Sequence, residues 1–134
     1  MQDIPTAVQL LDAVAAFLEE ELLPEAGARR AYHLRVAVNL LRIVGREWKL
    51  EPVHLDRAWR EAATLLGRTG DPPADAEAAR AEVRTMLAEV TAGIRAGRFR
   101  TDDASLRAAL DRLARDKLEV AHPGYARDAG PGTP

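Results

Sequence analysis

The sequence predicts an all-α protein, an up-and-down bundle of about five helices around a long central second helix. Three observations carry this. Apolar residues recur at spacings of three and four along almost the whole chain. No stretch alternates strictly between apolar and polar, and no Asn-Gly or Asp-Gly pair joins β-rich runs. The breaks between periodic segments are short and marked by proline and glycine, which favours antiparallel neighbours. With 134 residues the chain fits one domain. That domain is expected over residues 1–125, and 126–134 reads as a disordered C-terminal tail.

The first helix opens at Thr6, three residues before Gln9. This is the spacing of a capping box, in which the hydroxyl accepts from one end amide and the Gln9 side chain reaches back to the cap. Val8, Leu11, Ala15, Leu18 and Leu22 follow at helical spacing, and Pro24 with Gly27 ends the segment. The second helix, about 28–49, carries two apolar stripes. Leu34, Ala37, Leu41, Val44 and Trp48 form one; Val36, Leu40 and Ile43 form the other. A face that wide predicts contact with more than one neighbour. Gly45 interrupts it at about 1 kcal/mol against alanine, which predicts the close approach of another helix.

Glu51-Pro52 is expected to end that helix, because a residue before proline is pushed out of the helical region. A third helix, about 53–66, presents Leu55, Ala58 or Trp59, Ala62, Leu65 and Leu66. Residues 67–74 form the clear loop, with Asp71-Pro72 as the expected cap and first turn of a fourth helix reaching Ala96. Ala79, Val83, Met86, Leu87, Val90 and Ile94 mark its core face, and Gly97 is placed to end it in the left-handed conformation. The fifth starts between Thr101 and Asp103, carries Leu106, Leu110, Leu113, Ala114, Leu118 and Ala121, and stops at Pro123-Gly124.

Composition excludes several chemistries. There is no cysteine, which removes thiol catalysis, thiolate zinc sites, iron–sulfur clusters and disulfides. No Gly-x-Ser-x-Gly elbow and no glycine-rich phosphate loop occurs. A net charge of −2 and a pI near 5.9 give no global pull toward phosphate backbones or anionic lipid. Arg95, Arg98 and Arg100 cluster around Phe99, but Asp102 and Asp103 dilute them. No apolar run approaches the ~20 residues of a membrane span, and no basic leader precedes Val8. The expected location is the cytoplasm, with no nucleic-acid or membrane partner.

Two constellations invite a site. Glu-x-x-His occurs twice, as Glu51/His54 and Glu119/His122. In ferritin-like bundles two such pairs and two further glutamates hold a di-iron centre. Here each pair sits at a helix boundary beside a proline, where the side chains do not converge. Capping and surface charge account for them, so no metal and no other cofactor is expected. The second constellation is the polar set His33, Arg35, Asn39 and Arg42 on the second helix. Arg35 and Asn39 are four apart and share a face. Asn39 lies within the apolar run 37–41 and is expected to be partly covered. A covered amide must find partners. It therefore specifies helix packing or, with its neighbours, holds an anion or a small polar ligand. A third feature is charge. Glu19-Glu20-Glu21 closes the first helix and Arg29-Arg30 opens the second, both against the helix dipoles. Pairing across the turn, or a partner, would offset this.

Several stretches together resemble a known family. They are Asp3-Ile4-Pro5-Thr6, Phe17-Leu18-Glu19-Glu20-Glu21-Leu22-Leu23-Pro24, His33-Leu34-Arg35-Val36-Ala37-Val38-Asn39-Leu40-Leu41, Ile43-Val44-Gly45-Arg46-Glu47, Ile94-Arg95-Ala96-Gly97, and Lys117-Leu118 through to Tyr125. The match is to an uncharacterised bacterial domain family whose members are often encoded beside aminoglycoside-phosphotransferase-like kinases and acyl-CoA dehydrogenases. It spans most of the chain and brings no catalytic residues. The resemblance implies a small helical accessory protein working with such a kinase. With no reactive set in the sequence, the expected function is a non-catalytic helical interaction module, a homodimer or an accessory subunit, rather than an enzyme. A small-ligand or anion-binding domain using His33, Arg35, Asn39 and Arg42 is the alternative.

Overall fold

A computed structural model describes residues 4–100 and 102–128. Every regular element among them is helical. These are α1 (Ala7–Phe17), which runs into a π-helical turn (Leu18–Leu22), α2 (Ala28–Leu65), α3 (Ala76–Arg95), α4 (Ala104–Ala121) and α5 (Pro123–Asp128). The all-α class and the long second helix are as expected. The chain divides into two compact units, Met1–Leu50 and Glu51–Pro134, and α2 supplies residues to both.

The segments expected as helices two and three are one helix of 38 residues with Pro52 inside it. Proline removes one backbone donor and so leaves the carbonyl of residue 48 without its helical partner. Trp48 is exposed, so solvent is at hand for that carbonyl. On the far side of the proline, packing and ion pairs fix the helix, and these outweigh the local preference that predicts a break. The division between the two units falls beside this proline.

In the first unit α1 and residues 28–50 of α2 form an antiparallel hairpin. The α1 start carries the full capping box, with Gln9 N–H donating to Thr6 Oγ1 at 3.3 Å and Thr6 N–H donating to Gln9 Oε1 at 2.8 Å. Leu11 lies against Gly45, and further along α1 Glu19 pairs with Arg42. The side chains buried here are small: Ala15, Ala31 and Val38, beside Gly45.

In the second unit residues 51–65 of α2 pack against α3 and α4. Trp59, Ala62, Ala63, Val83 and Met86 form the core, flanked by Leu55, Ala58, Leu66 and Leu87. Glu51 pairs with Arg80, and Arg68 with Glu89, so α3 runs in the same sense as this part of α2. The connection 66–75 doubles back along the helix to make that possible, with Asp71 reaching Arg60. Consequently α3 is capped by Asp75, whose carboxylate accepts from Ala78 N–H at 2.8 Å, rather than by Asp71. At its other end Gly97 has φ +72°, and Arg98 N–H donates to the Gly93 carbonyl at 2.8 Å, the left-handed cap expected from the sequence. The up-and-down order holds from α1 to α2 and from α3 to α4.

Asp103 caps α4, accepting from the Ser105 and Leu106 N–H groups. After α4 the chain makes the short α5 instead of stopping at Pro123-Gly124. Of the stretch expected to be a disordered tail, 126–128 belong to α5, and 129–134 lie outside the described residues. No helix among the described residues is long and apolar enough to cross a membrane.

Candidate functional site

Each unit carries one unusual surface, and both arise from helix periodicity. A residue advances about 100° around an α-helix, so the Leu11–Gly45 contact sets which side chains flank the hairpin on either side. Leu10, Val14 and Phe17 of α1 fall on one flank, with Leu40, Val44 and Trp48 of α2 beside them. Each of these is exposed, Phe17 at 54% and Trp48 at 64%. Asp12, Glu19, Arg35, Asn39 and Arg42 fall on the opposite flank. The hairpin is therefore apolar on one face and charged on the other. Among the described residues, ten large apolar side chains stand exposed in this unit and three in the other.

The second surface is a polar seam between α2 and α4 in the larger unit. Three pairs bridge it: His54 with Glu119 at 3.1 Å, Arg57 with Asp116, and Glu61 with Arg112 at 2.5 and 2.8 Å. Each step of three or four along α2 is matched by an equal step back along α4, so the two helices run antiparallel. His54 Nε2 also lies 3.7 Å from Asp116 Oδ1. Asp116 is 6% exposed, the only buried charged side chain among the described residues. Its Oδ2 is buried with no hydrogen-bond partner. The guanidinium of Arg112 hydrogen-bonds the Glu61 carboxylate and holds it below its ordinary range. Arg80 does the same for Glu51.

The residues singled out in the sequence divide as follows. Arg35, Asn39 and Arg42 share the charged flank of the hairpin, where Arg42 pairs with Glu19. Asn39 is exposed rather than covered; the turn of the helix carries it away from α1 although its sequence neighbours are apolar. His33 stands apart from these three. Its ring meets Tyr32 edge-on, and it lines an open depression with residues 27–30 at the start of α2. Glu20, Glu21, Arg29 and Arg30 make no cross-turn pair among the described residues, because the ion pair of the hairpin forms one step further along, at Glu19–Arg42. Phe99 packs on Gly93, and Arg100 is held by Asp102.

Both Glu-x-x-His pairs come apart. Glu51 turns to Arg80, and His122 accepts from Tyr125 N–H. The halves that remain, His54 and Glu119, meet each other with Asp116 beside them. Asp116 and Arg57 escaped the sequence reading. The signal for them was their three-residue spacing from Glu119 and His54, which places each pair on one helix face.

Residues 24–125 match the model of a domain of unknown function (DUF6285), and the chain belongs to that family. Membership of an uncharacterised domain family is as the sequence resemblance implied. No curated protein matches, and no solved structure matches.

Proposed function

We propose that the protein is a non-catalytic helical interaction module that self-associates through the apolar flank of its α1–α2 hairpin. The observation that carries this is the row Leu10, Val14 and Phe17 beside Leu40, Val44 and Trp48, all exposed in a unit whose buried side chains are small. Within this unit the two helices have no third helix among the described residues to cover a second apolar face. Together the six side chains expose several hundred Å², on the order of the ~800 Å² that one partner gives to a standard interface. A monomer seldom leaves open a patch beyond roughly 300–600 Å². A twofold pairing sets the same face against itself, so two hairpins complete one four-helix bundle. The charged flank, with Glu19–Arg42, then stays in water. Residence in the cytoplasm fits such a module.

The anion-binding alternative has less behind it, because His33 stands apart from Arg35, Asn39 and Arg42 and all four are exposed. Light scattering coupled to size exclusion tests the proposal. The chain is expected to run as a dimer at tens of micromolar, and Leu40→Glu combined with Val44→Glu is expected to run as a folded monomer. A wild-type monomer at every concentration contradicts self-association. The face would then belong to a different protein, of which a phosphotransferase-like kinase is the first to test.

A further inference from the structure

We propose that His54, Asp116 and Glu119 bind one divalent transition-metal ion of the zinc class. The three side chains offer ligand atoms that all lie within 4.8 Å of one another. His54 Nε2 is 3.1 Å from Glu119 Oε2 and 3.7 Å from Asp116 Oδ1. Those separations bracket the ~3.4 Å edge of a tetrahedron whose metal–ligand bonds are ~2.1 Å. Only small side-chain adjustments are needed to close three atoms around an ion.

A second, independent observation favours a cation here. Asp116 is 6% exposed, and its Oδ2 is buried without a hydrogen-bond partner. A buried carboxylate oxygen left unpaired is costly. Arg57 engages Oδ1, the oxygen that lies 3.7 Å from His54 Nε2, and orients the carboxylate, as hydrogen-bonded partners of metal-bound carboxylates commonly do. His54, Asp116, Glu119 and Arg57 carry one net negative charge with the imidazole neutral, so a divalent cation is also favoured electrostatically.

The donor set selects the ion. One imidazole and two carboxylates suit zinc, cobalt, manganese or ferrous iron better than magnesium or calcium, which prefer oxygen alone. Three protein ligands leave at least one coordination position for water. Glu119, with its side chain 52% exposed, gives the ion a route in from solvent. The site lies wholly in the unit that does not form the proposed dimer face, so the two proposals stand or fall separately.

The test uses the full-length chain prepared without a metal-affinity tag. Zn²⁺ titration by calorimetry is expected to show one equivalent bound, with a rise in Tm. Co²⁺ is expected to give the visible absorption of a four- or five-coordinate ion, and Mg²⁺ to give no response at the same concentration. Glu119→Gln, a surface change, is expected to leave the metal-free Tm unchanged and to weaken Zn²⁺ at least tenfold. His54→Gln is expected to weaken it at least as much, while Glu21→Gln leaves it unaltered. No Zn²⁺ binding up to millimolar concentration overturns the proposal. So does wild-type affinity in both Glu119→Gln and His54→Gln, because the ion would then sit elsewhere.

Discussion

Met86 is wholly buried in the larger unit, whereas Trp48 stands 64% exposed in the smaller. The contrast extends to their neighbours. Residues 51–65 of α2 meet two further helices, with Trp59, Ala62, Ala63, Val83 and Met86 packed together as a core. Residues 28–50 of the same helix meet only α1 within their unit, and alanine, valine and glycine fill that contact. What differs between the halves is the number of elements available within each unit to cover their apolar side chains. Three helices enclose a core, while two leave an apolar flank exposed.

The largest expected effect breaks the core of the larger unit and should leave the hairpin alone. Met86→Ala removes the side chain at 0% exposure and should cost about 2–5 kcal/mol in denaturant unfolding, with the dimer constant of the surviving folded protein unchanged. Next comes the hairpin flank. Phe17→Asp should weaken self-association by about thirtyfold or more, roughly 2 kcal/mol for a central aromatic contact, while helix content at low concentration stays as in the wild type. Equilibrium sedimentation and circular dichroism read the two outcomes.

The same substitution at two helix glycines should have opposite signs. A Cβ at Gly93 would stand 2.5 Å from Phe99 Cε2, so Gly93→Ala must push the ring away and should destabilise by about 1–2 kcal/mol. A Cβ at Gly45 would meet Leu11 at 4.0 Å, an ordinary contact. Gly45→Ala should therefore stabilise, by up to about 1 kcal/mol. The close approach expected at Gly45 is real, but it leaves room for a methyl group. Thermal unfolding of the two variants decides between these signs.

The smallest effect is on pH. Glu51 and Glu61 are held below the ordinary carboxylate range by Arg80 and Arg112. A lowered folded-state pKa contributes stability that is present above the unfolded value, about 4.3 for glutamate, and is lost as pH falls through the lowered one. Both pairs belong to the larger unit. Acid should therefore loosen that unit from about pH 4 downward, and the Glu61→Gln variant should show a shallower decline of Tm over that range.

Local features were readable from the sequence, and long-range ones were not. The Thr6–Gln9 capping box and the Gly97 cap involve residues three to five apart, so spacing alone identifies them. The two stripes of α2 were visible as apolar width. Nothing in the spacing says that Leu40 and Val44 face solvent while Val38 is buried, because that depends on where α1 lies. Pro52 misleads for the same reason: the local preference for a break is real, and packing of Trp59 and Ala62 beyond it is stronger. The parallel run of α2 and α3 is hidden in the connection 66–75, which doubles back along the helix. The meeting of His54 with Glu119 joins residues 65 apart in sequence, and it became visible only once the antiparallel register of α2 and α4 was known.

Hydrogen exchange of backbone amides at two protein concentrations tests the difference between the units most directly. If a second copy completes the hairpin, amides of residues 30–46 should gain protection as concentration rises from about 1 to 100 µM, while those of residues 56–64 in the same helix stay constant. Equal protection in both stretches at every concentration would contradict the account, because the hairpin would then be complete in a single chain.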